Sequence, residues 1–252
     1  MDFGRSAVSA AGRWVLPTAT GWVDWIWPIR CLGCRRRLEE SEERRNWICS
    51  RCRVDLPWSE GVSFPIELGE NSDPIAGYSV FRYREPVAGW IRAYKYRRAY
   101  YLHRPLARFM NFRCPGEWRQ NGWDAVIPLP IHWRRLLQRG FHHVRLLAES
   151  VGRTEGWPVW DGWLERVVHR PPQVGLEEKE RRSNLRGVFR VRPQAVKEIA
   201  GRRILLLDDV LTTGSTVREA ARTLLTAGAT QVAVWTLARA GEPSDDRPDG
   251  NF

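Results

Sequence analysis

The chain has 252 residues, 43% of them hydrophobic, which suits one large globular domain or a core domain with a small satellite and excludes a disordered chain. It holds no apolar run of about 18 residues, so no transmembrane helix is expected. The Trp-rich N-terminus, interrupted by Arg13 and Asp24, does not read as a signal peptide, and a cytoplasmic protein is expected. The net charge of +11 predicts attraction to polyanions, either phosphorylated metabolites or nucleic acid.

In chain order, residues 1–30 form an N-terminal segment in which Val15, Ala19, Trp22 and Ile26 repeat at helical spacing, with Pro28 as the stop. Residues 31–58 form a cysteine module, and residues 59–75 read as a linker rich in turn formers. A core domain is expected over 76–240 and a polar, disordered tail over 241–252. Within the core, Ala76–Tyr83 reads as a strand and Val87–Met110 as one helix, with residues 111–122 as loop. Asp124–Leu129 is a short strand ending in Pro128-Leu129-Pro130, and a helix follows over Phe141–Val151. Trp160–Val168 and Val188–Val191 read as strands on either side of a charged stretch, His169–Arg186. Ile204–Leu207 is a continuous apolar run, as a buried parallel strand would be. Val217–Ala227 is helical up to Gly228, and Gln231–Leu237 is the last strand. Strands alternating with helices predict an α/β fold with a parallel sheet flanked by helices.

Cys31-x-x-Cys34 and Cys49-x-x-Cys52 stand fourteen residues apart and supply four soft ligands, the set a tetrahedral structural zinc requires. Two redox disulfides or an iron–sulfur cluster are the rivals, and a cytoplasmic setting disfavours the disulfides. The remaining cysteine, Cys114, reads as a small buried hydrophobe. The arginines of the module (Arg35, Arg36, Arg37, Arg44, Arg45) read most simply as a solvated face.

The most specific segment runs from Ile204 to Thr216, with Asp208-Asp209 at the end of a buried strand and Thr212-Thr213-Gly214-Ser215-Thr216 leading into a helix. Unpaired N–H groups at a helix N-terminus, with hydroxyls around them, suit a phosphate monoester. Gly214 lets the backbone approach the ligand. The spacing of Thr216 and Glu219 predicts a capping box that starts the helix. Two carboxylates beside an anion cradle repel the anion, unless the ligand also offers hydroxyls. Asp208 and Asp209 can accept hydrogen bonds from the 2- and 3-hydroxyls of a ribose whose 5-phosphate lies in the loop.

This segment resembles the phosphoribosyl pyrophosphate signature of type I phosphoribosyltransferases. The whole chain resembles the ComF/GntX family, which joins a zinc-finger-like N-terminus to a phosphoribosyltransferase domain. The resemblance spans about residues 22–239, in order: the cysteine pairs, Tyr94-Lys95-Tyr96, Ile127-Pro-Leu-Pro130, Arg139-Gly140-Phe141, Gln173-x-Gly-Leu176, Arg181-x-x-Asn184-Leu-x-Gly187-x-Phe189 and the signature itself. Two departures are visible. His142 and His143 replace the common Asn-Gln, and Pro171 and Pro172 precede Gln173.

The resemblance implies that Pro128, Leu129 and Pro130 form the pyrophosphate loop with Arg139 nearby. It implies that 169–186 is a closing loop offering Arg170, Gln173 and Asn184. Mg²⁺ is implied as the companion of phosphoribosyl pyrophosphate. The Val87–Met110 helix and the cysteine module are expected to form a hood with Lys95 facing the site. The family also implies a link to natural competence and to DNA-uptake partners. The function expected is phosphoribosyl pyrophosphate binding by a phosphoribosyltransferase-type protein tied to DNA uptake. The alternative is a non-catalytic handler of single-stranded DNA that uses the fold as a scaffold, which the charge and abundant aromatics also fit.

Overall fold

The structure is a computed structural model that describes residues 28–69, 72–167 and 187–241. The helix expected over 15–27, the whole 169–186 loop and the tail beyond 241 lie outside the described residues. The chain divides into two compact units, Met1–Cys52 and Arg53–Phe252.

In the first unit, Leu38, Ile48, Cys31 and Cys49 are buried, a short helix α1 (Ser41–Asn46) lies between the two cysteine pairs, and a second, α2 (Ser50–Val54), starts just after Cys49. Arg35 and Trp47 adopt positive φ angles of 63° and 58°; Arg35 lies just past the first cysteine pair, and Trp47 ends α1.

The second unit is built on a five-stranded sheet. Its strands are β1 (Phe64–Ile66), β2 (Ile75–Arg82), β3 (Ala125–Pro128), β6 (Arg203–Leu211) and β7 (Gln231–Arg239). Their spatial order is β1-β2-β7-β6-β3, and every pairing is parallel except β1 with β2. The central position of β6 explains its composition: Ile204, Leu205, Leu206 and Leu207 are all fully buried, covered on both faces. One face is covered by α9 (Ser215–Thr226), whose Val217, Ala220, Ala221 and Leu224 pack in one core with Ile204, Leu206 and Val234. Helix α7 (His143–Glu155) covers the face that presents Asp209, burying Val144, Leu147, Ala148 and Val151. Among the described residues, no helix is long and apolar enough to cross a membrane.

Four expectations need correction. The supposed linker 59–75 contains β1, which pairs with β2 at the sheet edge. It fits because Gly77 faces it: a Cβ there would meet Phe64 and Ile66 side-chain atoms at 2.5 and 2.7 Å. The single helix over Val87–Met110 is two, α3 (Val87–Tyr96) and α4 (His103–Phe112). The break falls at Arg98, whose φ of 54° no right-handed helix accommodates. The loop 111–122 holds a short helix, α5 (Gly116–Asn121), anchored by buried Trp118. The strand expected over Trp160–Val168 shrinks to β4 (Leu164–Arg166), which pairs antiparallel with β5 (Phe189–Val191) in a separate small sheet. The short helices α6 (Trp133–Arg139) and α8 (Pro193–Ile199) carry too few apolar positions to show a period.

Candidate functional site

Strand β6 runs past the expected apolar core and carries Asp208 and Asp209 within it, so their side chains alternate across the sheet. Asp208 is half-buried on the face of Ile204 and Leu206. Asp209 is 4% exposed on the other face. Its Oδ2 lies 2.8 Å from Lys95 Nζ on α3 and 2.7 Å from His143 Nε2 at the start of α7. Asp208 Oδ1 accepts the Asp209 backbone N–H at 2.8 Å.

These surroundings split the two carboxyls. Burial and the charge of Asp209 push the Asp208 carboxyl up to about 8. Burial also opposes charge on Asp209, but Lys95 and His143 outweigh it and hold that carboxyl well below the usual carboxylate range. The charge of the pair therefore sits chiefly on Asp209.

The loop after β6 exposes Thr212 and Thr213, and Gly214 sits at φ 73°, the left-handed conformation that glycine adopts without strain. Helix α9 begins at Ser215 with Gly214 as its N-cap and no side-chain cap bond. The expected Thr216–Glu219 capping box does not form: Thr216 is already inside the first turn, and Glu219 Oε1 accepts the Gly187 N–H at 2.7 Å. The hydroxyls of Thr213 and Ser215 are 2.9 Å apart. Arg218, which sequence reasoning passed over, donates to the Thr213 carbonyl at 2.6 Å. A cation in a first helical turn opposes the helix dipole, and that was the available signal. It makes sense where an anion is to be held.

Pro128 pairs with Leu207, and the Leu129 N–H donates to the Leu207 carbonyl at 2.8 Å, so the Pro128–Pro130 turn lies beside Asp208. Arg139 ends α6. Its Nη1 lies 3.1 Å from both ring nitrogens of His143, and its guanidinium sits 5.1 Å from the centre of the Tyr96 ring. The structure thus gathers Lys95, Arg139 and Asp209 around His143, a residue that stood out in the sequence only as a departure. The buried His143 ring is held toward its neutral form by burial. Tyr94 on α3 donates its hydroxyl to the His143 carbonyl at 2.6 Å. Arg170, Gln173 and Asn184 lie outside the described residues. Cys114 is buried as expected, and burial pushes its thiol up to about 12.

In the first unit the Sγ atoms of Cys31, Cys34, Cys49 and Cys52 lie within 4.8 Å of one another, and Cys34 and Cys49 are 3.9 Å apart. Four thiolates at ~2.3 Å from a tetrahedral ion would be roughly 3.8 Å apart, so the cluster fits one metal ion. All five cysteines are free rather than paired in disulfides. Burial works against a Cys49 thiolate, but the Cys52 N–H and the Arg36 guanidinium outweigh it, and the thiol falls to about 6. Arg36 is no mere solvated charge. It also donates to Glu43 at 2.6 and 2.7 Å, and Glu43 in turn accepts the Ser50 N–H at 2.7 Å, which fixes the second knuckle. Gly33 allows the knuckles to close, since a Cβ there would stand 2.9 Å from both Cβ and Sγ of Cys52.

Comparison with known proteins agrees with this layout. Residues 166–250 match the phosphoribosyl transferase domain family. The chain is 29% identical to competence protein F of Haemophilus influenzae, over 84% of this chain and 97% of that protein. It is 33% identical to the DNA utilization protein YhgH of Escherichia coli O157:H7, over 76% of this chain and 77% of that one. It is 24% identical to competence protein ComFC of Bacillus subtilis, over 83% of each.

Proposed function

Because the chain belongs to the ComF family, proteins with a phosphoribosyltransferase domain, we propose that it binds phosphoribosyl pyrophosphate with Mg²⁺ as part of a role in DNA uptake. The observation that carries the reading is the pairing of Asp208 with the Gly214 turn: a carboxyl at a central strand end, then a helix N-terminus with no side-chain cap. On this reading the Thr212–Thr216 loop holds the 5-phosphate through backbone N–H groups and hydroxyls. Asp208 and Asp209 receive the ribose hydroxyls, and Asp208 is the more accessible of the two. Pro128–Pro130, Lys95 and Arg139 face the pyrophosphate.

The residues suit the divalent cation. A half-buried carboxyl pushed up to about 8 marks a place short of positive charge, and carboxylate oxygen is the donor such an ion prefers. Mg²⁺, when bound, supplies charge neutralisation at the pyrophosphate. The reaction class is displacement of pyrophosphate at the anomeric carbon by a nitrogen nucleophile, with Lys95 and Arg139 stabilising charge on the leaving group. The names of the relatives, competence protein and DNA utilization protein, support the link to DNA uptake. In the cysteine unit the spacing of the four thiol groups supports a structural zinc.

The test is calorimetric titration of Mg²⁺–phosphoribosyl pyrophosphate into wild type and Asp208→Asn at moderate salt. Asp208 is the residue to change, because Asp209 is committed to Lys95 and His143. Losing the Asp208 carboxyl beside the ribose hydroxyls and the cation should weaken binding by about tenfold to a hundredfold. Equal or tighter binding by the variant would mean nonspecific anion capture by a basic protein and would make single-stranded DNA the leading ligand.

A further inference from the structure

We propose that His143 is a positioning residue that holds Lys95 and Arg139 as a two-pronged cationic clamp for the diphosphate group of the ligand. The inference rests on the site reading above and adds to it a role for this residue.

The geometry is a closed chain of contacts. Lys95 Nζ and His143 Nε2 meet on Asp209 Oδ2 at 2.8 and 2.7 Å. Arg139 Nη1 lies 3.1 Å from both nitrogens of the same imidazole. Arg139 Nη2 then donates to the Tyr96 hydroxyl at 3.4 Å, with the guanidinium over the Tyr96 ring. The chain starts at Lys95 and ends at Tyr96, consecutive residues of α3. It thereby ties α3, the end of α6, the start of α7 and β6 together, and His143 is the link between the two cations.

A neutral ring fits this place and a protonated one does not. The Nε2–H donates to the carboxylate, and the uncharged imidazole tolerates a guanidinium against it. A protonated ring would set three cations around one carboxylate. His143 is 2% exposed, so its position is fixed by packing and by the bond from Tyr94 to its carbonyl. Lys95 keeps 18% of its side chain exposed and Arg139 is half-buried. Each cation therefore has one side on the hub and another open to an anion. A diphosphate presents two charged groups and takes two fixed cations better than one. Ribose 5-phosphate, held by the Thr212–Thr216 loop, needs neither.

The test titrates inorganic pyrophosphate with Mg²⁺, and separately ribose 5-phosphate, into wild type, His143→Ala and His143→Gln. A glutamine amide can donate to Asp209 and remain flat and neutral against Arg139. We expect His143→Ala to weaken pyrophosphate binding by about tenfold while ribose 5-phosphate stays within about twofold, and His143→Gln to restore pyrophosphate binding. His143→Leu, similar in volume and without polar atoms, serves as a second disabling variant should the alanine cavity prevent folding. Equal weakening of both ligands, unchanged pyrophosphate binding, or failure of glutamine to rescue would overturn the inference. If wild type binds neither ligand, the site reading itself falls and this inference with it.

Discussion

Asp208 and Asp209 are adjacent in sequence and lie on opposite faces of β6, so their charges act on folding with opposite sign. Asp208 has its carboxyl pushed up to about 8 by burial and by its neighbour. The folded state therefore holds a proton that the unfolded chain gives up near pH 4. Stability from this group is full below pH 4 and is lost as pH rises toward 8. Asp208→Asn removes that loss. The variant should match wild type near pH 4 and melt at progressively higher temperature than wild type from pH 5 to 8, without Mg²⁺. A pH-independent difference in melting temperature would refute this.

Asp209 behaves in the opposite way. Its carboxyl is held ionised by Lys95 and His143, so it contributes stability above the unfolded value near pH 4 that is lost as pH falls further. Asp209→Asn leaves the Lys95 ammonium without its counter-charge in a largely buried position. Breaking such a pair costs about 3 kcal/mol. Urea denaturation at pH 7 should show that loss, with Asp208→Asn showing none.

The difference between these neighbours marks what could be read from the sequence. Buried strands announce themselves by apolar runs, so Ile204–Leu207 and Gln231–Leu237 were visible, and with them the parallel sheet. The loop Thr212–Thr216 was visible because its residue types have few other uses together. Lys95, Arg139 and Asp209 could be named one by one, but their meeting point could not, since it depends on α3, α6 and α7 converging over β6. His143 is a residue type equally suited to a core or a surface, and only its distance to Asp209 gives it a role. Strand β1 was hidden because its three residues leave no period, and its partner Gly77 has no side chain to signal the contact.

The Gly214 turn gives a third prediction. Its φ of 73° is open to alanine only with strain, although an added Cβ meets nothing nearer than 3.7 Å. The cost should be about 1 kcal/mol from backbone conformation alone. Because relief of that strain would swing the Thr213 and Ser215 donors, Gly214→Ala should weaken ribose 5-phosphate binding by about tenfold. Calorimetry and denaturant melts on one preparation separate the two effects; loss of stability with unchanged ribose 5-phosphate affinity would show that the loop does not hold the phosphate.

The cysteine unit supports a prediction that keeps all four cysteines. A methyl group at Gly33 would stand 2.9 Å from the Cβ and Sγ of Cys52, so Gly33→Ala must push that thiolate outward. The other three Sγ atoms keep their positions, and a tetrahedral ion with one displaced ligand is bound less tightly. Wild type should carry one zinc per chain by elemental analysis. Gly33→Ala should lose it to a competing chelator at a concentration well below that needed for wild type. Residues 28–52 should then become sensitive to protease, because a segment this small would depend on a bound metal for folding. Equal chelator resistance in the two proteins would show that the four cysteines do not share one ion.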